Sequence, residues 1–185
     1  MVAWKQKRQH IHHYNRIAHI YNTRYREEQN LKTKTALEHF EHKKQDAILD
    51  LGCGTGLLIP KIRKKARTIV SLDISKNMLK EVLPLAKHSA DIHLVIADAD
   101  YTPFRDGCFD TVFAITLLQN MPHPKKTLQE IGRIMKPNAV MIVTGLKKHF
   151  AGETFLSLLK SSGLSAGLLK TDDFLRCHIA ICKKC

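Results

Sequence analysis

The chain has 185 residues, 44% of them apolar, and a formal net charge of +13, which suits one packed domain with acidic partners, nucleic acid ahead of anionic membrane. No apolar run approaches the ~20 residues that span a bilayer, and the N-terminus lacks the apolar segment of a secretory signal. Five scattered cysteines, an odd number, point to a reduced, cytoplasmic protein rather than a disulfide scaffold.

Residues 1–45 are basic and rich in histidine. Ile11, Tyr14, Ile17, Tyr21 and Tyr25 recur at helical spacing, with Lys5, Lys7, Arg8 and Arg16 between them. Two helices are expected, about 10–21 and 27–42, forming a basic lid ahead of a domain at 46–185. His10, His12, His13 and His19 lack the Cys or carboxylate neighbours that complete a metal site, so no metal is expected.

From residue 46 the pattern alternates. Strands are expected at Ala47–Leu51, Thr68–Leu72, Ile92–Ile96, Asp110–Thr116 and Ala139–Thr144. Helices are expected at Leu57–Lys65, Ser75–Lys87, Pro124–Met135 and about Gly152–Ser161. Ser75 suits an N-cap, and Pro84 is expected to kink or shorten its helix. A final pair, about Gly167–Thr171 and Leu175–Lys183, reads as a hairpin. Strands separated by helices imply right-handed crossovers and a largely parallel sheet.

The organising stretch is Asp50-Leu51-Gly52-Cys53-Gly54-Thr55-Gly56. Its glycines allow a sharp turn and close approach of backbone to a ligand. A dinucleotide turn would need its third glycine where Leu57 stands; here it falls one place early, at Gly56. No Lys-Ser/Thr follows, which excludes a P-loop. Asp50 is placed to reach the ammonium of a methionine moiety, with Gly52, Cys53, Gly54 and Gly56 forming the backbone cradle. Asp73, at the end of the second strand, suits a pair of ribose hydroxyls, and Ile74 and Met78 an adenine ring. The plainer role for Asp73 is to cap the next helix. Asp98 and the backbone of Ala99, past the third strand, suit the adenine amine and a ring nitrogen.

This D-x-G-x-G-x-G pattern resembles motif I of the class I S-adenosylmethionine-dependent methyltransferases. Three further stretches resemble the ubiquinone/menaquinone methyltransferase-like (Methyltransf_11-type) group: Tyr14-Asn15-Arg16-Ile17-Ala18 with Tyr21-Asn22, Pro103-Phe104-Arg105-Asp106-Gly107-Cys108-Phe109-Asp110, and Glu130-Ile131-Gly132-Arg133-Ile134-Met135-Lys136-Pro137. The likeness covers about residues 14–146. It implies an α/β Rossmann-like fold, a mostly parallel seven-stranded sheet with a C-terminal antiparallel hairpin, and S-adenosylmethionine as cofactor. It places Tyr14 and Tyr21 near the methionine end. Thr116, at the end of the fourth strand, adjoins the cofactor, and the loop beyond it, with Leu117, Gln119, Asn120 and His123, faces the methyl acceptor.

Methyl transfer from a sulfonium needs alignment above all, and a general base only where the acceptor loses a proton. Asp100, Tyr14 and His123 are candidates, and none is singled out. The chain lacks an Asn-Pro-Pro-Tyr-like amine clamp and the Pro-Cys or Thr-Cys nucleophile of cytosine C5 methylation. Charge favours RNA or a ribosome-associated acceptor. The alternatives are a small molecule or prenylated ring, and a cofactor-binding subunit without turnover. The short body is expected to need a partner subunit to complete the acceptor site. Cys182 and Cys185 form one C-x-x-C pair, too few ligands for zinc.

Overall fold

A computed structural model describes residues 2–39, 46–64, 66–171 and 174–184. It opens with one helix, α1 (Val2–Glu38). The expected pair of helices is corrected to a single one, because residues 22–26 contain neither Gly nor Pro to break it; residues 40–42 of the expected second helix lie outside the described residues. The body then runs β1 (Asp46–Leu51), α2 (Ile59–Ile62), β2 (Ala66–Asp73), α3 (Lys76–Ala86), β3 (Ile92–Ile96) and β4 (Phe109–Ala114). It continues through a 3-10 turn (Leu118–Asn120), α4 (Pro124–Ile134), β5 (Met135–Leu146), α5 (Gly152–Lys160), β6 (Leu164–Leu168) and β7 (Cys177–Lys184).

The seven strands form one sheet in the order β3-β2-β1-β4-β5-β7-β6. β1 pairs in parallel with β2 and β4, β2 with β3, and β4 with β5, whereas β7 runs antiparallel to both β5 and β6. The expected fold class holds, hairpin included. The strand order reverses between β1 and β4, and in open α/β sheets such a reversal leaves a ligand crevice beyond the carboxyl ends of the strands.

Side-chain alternation along the strands fills both faces of the sheet. Leu49, Val112, Ala114, Met141 and Val143 join the core beneath α4 and α5. Ile48, Phe113 and Ile142, one residue out of phase, join the core shared with α2, α3 and the end of α1. Phe104 packs edge-on to Phe109 with ring centroids 5.0 Å apart, fastening the loop after β3 to β4.

Several boundaries differ from expectation: β5 is longer than Ala139–Thr144 at both ends, and β6 starts at Leu164 rather than Gly167. The helix expected at Leu57–Lys65 is one turn, Ile59–Ile62, with Pro60 in its first positions; Lys65 is outside the described residues. Pro84 does not end α3, which runs to Ala86. Pro84 and Lys80, whose carbonyl would have bonded its missing N–H, are both exposed, on the side of the helix where water can take the place of the lost bond. β4 ends at Ala114, two residues before Thr116.

Candidate active site

Beyond β1 the chain turns through glycines in the left-handed region, Gly52 at φ 74° and Gly54 at φ 54°. A side chain on Gly52 would press on Leu117 Cδ1 at 3.0 Å, whereas one on Gly54 would project into open space. That space is the floor of a cleft whose lining includes Gly54, Asp73, Met78 and Asp98. The Gly54 N–H donates to Asp73 Oδ2 at 2.9 Å, and the Ser75 N–H to Oδ1 at 2.8 Å. Asp73 therefore holds the loop and the start of α3 together while its carboxylate stays on the cleft wall. Burial raises its pKa, opposed by the N–H bonds from Ser75, Gly54 and Ile74. Ile74 and Ala99 line the same cleft, and Ser75 caps α3 by accepting from the Met78 N–H.

Asp50 is only 3% exposed, and its Oδ2 has no hydrogen-bond partner. Burial, with the Asp73 charge adding to it, pushes its pKa up to about 7. It lines a small side chamber with Gly52, Cys53, Gly54 and Tyr21. A buried carboxylate oxygen without a donor is costly unless a ligand supplies one.

α1 roofs this cleft and is tied to it along its length. Lys7 Nζ reaches Asp98 at 2.6 and 2.7 Å and Asp100 at 2.5 Å. Asn15 accepts from the Ser75 hydroxyl at 2.8 Å and the Asn77 N–H at 3.1 Å, and Asn22 accepts from the Thr55 hydroxyl at 2.6 Å. Asn120 Nδ2 donates to the Tyr14 hydroxyl at 3.0 Å.

A second cavity, about 710 Å³, opens beside the first, within the usual range for ligand sites of roughly 300–1,000 Å³. One wall is a row of tyrosines on α1: Tyr14 and Tyr21 have centroids 6.4 Å apart, Tyr21 and Tyr25 4.9 Å. The lining also includes Lys147, Lys148, His149 and Arg176, and the Lys147 N–H donates to the Arg176 carbonyl at 2.9 Å. Thr116, Gln119 and Asn120 also line it, with Gln29 and Lys32 at one end.

Thr116 is the joint between the two spaces. It sits at φ 61°, unusual for a β-branched residue. Its N–H donates to Thr144 Oγ1 at 2.7 Å, its hydroxyl donates to Gln29 Oε1 at 3.1 Å, and Lys32 Nζ donates to that hydroxyl at 3.2 Å. Lys32 is 1% exposed and pairs with Glu28 at 2.6 Å. Gln119 Nε2 and Asn120 Nδ2 both donate to the Thr116 carbonyl, at 2.8 and 3.0 Å, while Gln119 Oε1 is buried without a partner.

Leu117 lines the cleft; His123, exposed at the start of α4, lines neither space. Asp100 is buried and committed to Lys7 and Thr127, away from both. Sequence reasoning missed Lys7, His10, Gln29 and Lys32. The first two were open to it, because Lys7, His10, Tyr14 and Tyr21 recur at helical spacing on one face. Among the described residues no cluster of three or more His, Cys, Asp or Glu is placed to hold a metal ion, and no helix is long and apolar enough to cross a membrane. The Cys182–Cys185 pair ends outside the described residues.

The residues fit S-adenosylmethionine: an unpartnered buried carboxylate oxygen for its ammonium, an open Gly54 backbone, and Asp73 on the ribose side. Comparison with known proteins agrees. A demethylmenaquinone methyltransferase of Staphylococcus haemolyticus is 35% identical over 97 residues, 51% of this chain and 41% of that protein. An uncharacterized protein of Methanocaldococcus jannaschii is 31% identical over 132 residues, 71% of this chain and 49% of that protein. The chain thus spans half or less of the length of these curated relatives. Among solved structures, a putative methyltransferase from Haloferax volcanii, crystallised with the Trm112 methyltransferase activator, superposes with a TM-score of 0.78. That likeness covers 92% of this chain and 96% of that one at 18% identity, and speaks to the fold. The methyltransferase-domain family model Methyltransf_11 matches residues 49–143, just over half of the chain. The chain belongs to that family, whose methyl donor is S-adenosylmethionine.

Proposed function

We propose that this chain transfers a methyl group from S-adenosylmethionine to a nucleotide of RNA. Bound cofactor supplies an activated methyl on sulfur and leaves as a neutral thioether. The protein's own work is alignment and exclusion of water, which together are worth up to about 7–11 kcal/mol of a barrier. Asp50 and Asp73 orient the donor at its two ends. The Thr116–Asn120 turn, wired to α1, sets the position of the acceptor.

One observation carries the acceptor reading: a row of tyrosines and a bank of Lys147, Lys148, His149 and Arg176 line one cavity. Unpaired bases stack on aromatic rings while cations hold the phosphates, and the net charge of +13 adds long-range attraction. RNA also places the site of action in the cytoplasm, where thiols such as Cys53 and Cys177 stay reduced. The test is transfer of labelled methyl from S-adenosylmethionine into a total cell extract, with Asp73→Ala as control. Label removed by ribonuclease is the expected result. Label that resists ribonuclease and moves into organic solvent rejects RNA.

That second outcome would support a small ring acceptor, the reading favoured by the demethylmenaquinone methyltransferase among the relatives. A partner subunit that completes the acceptor side is part of the proposal, suggested by the activator in the Haloferax volcanii complex. Its check is whether purified chain alone turns over or needs a factor from the extract.

A further inference from the structure

Five side chains line both the cofactor cleft and the acceptor cavity: His10, Tyr14, Tyr21, Thr116 and Asn120. A group that handles the acceptor's proton during methyl transfer belongs at this junction. Thr116 and Asn120 have no basic nitrogen or carboxylate. Burial raises the pKa of both tyrosines, so they stay protonated at neutral pH and are no bases; their hydroxyls accept from Asn120 and Gln29. Glu28 lines the acceptor cavity alone and is occupied by Lys32. Asp100 and His123 line neither space.

We infer that the imidazole of His10 takes the proton from the acceptor as the methyl group is transferred. This rests on the methyl-transfer reading above and names the base that sequence alone does not single out. Of the four histidines on α1, His12 and His19 are exposed and line neither space, His13 is exposed and lines the acceptor cavity alone, and His10 lines both spaces. Its ring stacks toward Tyr14, centroids 6.5 Å apart, and Tyr14 is held in turn by Asn120. His10 thus stands one helical turn from the side chain that anchors the acceptor loop.

The step balances for an acceptor bearing N–H or O–H. The acceptor heteroatom forms the bond to the methyl carbon. The carbon–sulfur bond breaks and its electron pair stays on sulfur, giving a neutral thioether. The heteroatom's proton passes to an imidazole nitrogen, and the imidazolium releases it to the open cavity. His10 begins this step neutral: burial, with the neighbouring His13, holds its pKa below the ordinary histidine value. On the cleft side the charged lining residues are Lys7 and Asp98, already paired with each other, and Asp73, held by the Gly54 and Ser75 N–H groups. Lining the acceptor cavity are Lys147, Lys148, His149 and Arg176, with the Glu28–Lys32 pair. Lys147, Lys148 and Arg176 oppose a positive charge on the ring.

Two measurements test this. In the first, the imidazole resonances are titrated by NMR with S-adenosylmethionine bound and then with S-adenosylhomocysteine, the His10 signal being assigned by its loss in His10→Gln. A ring at the junction feels the sulfonium charge, so its pKa is lower in the first complex while those of His12 and His19 do not move. Equal His10 values in the two complexes overturn the inference. In the second, His10→Gln is assayed for label transfer into total RNA. Turnover is expected to fall by about 10²–10⁴-fold, with S-adenosylhomocysteine affinity unchanged and the acid limb of the rate profile gone. A variant with wild-type turnover and an unaltered profile also overturns it. If the wild type binds no S-adenosylhomocysteine, the methyltransferase reading itself fails. If it binds but leaves RNA unlabelled, only the RNA acceptor fails, and the NMR comparison still decides His10.

Discussion

Lys7 and Asp98, ninety-one positions apart in the chain, meet at 2.6 Å and clasp the start of α1 over the cleft that both of them line. Asp100 shares the same ammonium and is itself 5% exposed. Removing one partner of a buried pair leaves the other uncompensated, at a cost of about 3–5 kcal/mol. Lys7→Met is therefore expected to lower stability by about 3 kcal/mol in urea denaturation. Amide exchange should accelerate more in residues 3–12 than in α3. Uniform acceleration across both helices would mean that the clasp is not what holds the helix start.

Asp50 gives the apo protein a pH signature. Its folded pKa of about 7 lies above the ordinary carboxyl value, so the folded state binds the extra proton between roughly pH 4 and 7. Its contribution to stability is fully present below that window and is lost as pH rises through it. Asp50→Asn should flatten this slope in a series of thermal melts. The ammonium of the cofactor favours the ionised form, so S-adenosylhomocysteine binding should tighten from about pH 6 to 8 and release a proton. Calorimetry in buffers of different ionisation enthalpy reads that proton directly.

Asp73→Ala removes the carboxylate that we propose accepts from two ribose hydroxyls, and also the bond that holds the Gly54 N–H. Hydrogen bonds to a charged group are worth about 1.5–3 kcal/mol each. Affinity for S-adenosylhomocysteine should fall by at least about 100-fold in a calorimetric titration, with the circular dichroism spectrum unchanged. A loss under about tenfold would leave Asp73 with only its role in capping α3.

The cation bank predicts a salt dependence. Replacing both Lys147 and Arg176 with Gln should weaken binding to a single-stranded oligoribonucleotide. The slope of log affinity against log salt should fall by about 1.4, from roughly 0.7 for each phosphate no longer neutralised. An unchanged slope would place these side chains outside the acceptor path.

Much of the cleft was legible in the sequence. Asp50, Gly52, Cys53, Gly54, Asp73, Ile74, Met78, Asp98 and Ala99 all fall on its lining or its side chamber, because short turns at strand ends are set by local sequence; Gly56, expected in the cradle, lines neither and instead packs against Ile59 and Val82. The roof was less legible. Lys7 and Lys32 read as solvated charges in a basic helix, and only partners 91 and 84 positions away bury them. Thr116 was expected as the last residue of a strand; it has instead a positive φ and bonds to Thr144, Gln29 and Lys32, which no local pattern announces. Pro84 misled in the other direction, since a proline on the wet side of a helix leaves a carbonyl that water can satisfy.

α1 carries Lys7 at one end of the site and Lys32 at the other with no break between them. Loops absorb insertions and deletions; a continuous helix does not. Adding one residue between those two lysines would turn one end by about 100° relative to the other, so that either Asp98 or Thr116 lost its partner. Among homologues, the spacing from Lys7 to Lys32 should therefore tolerate substitution more readily than any change of length.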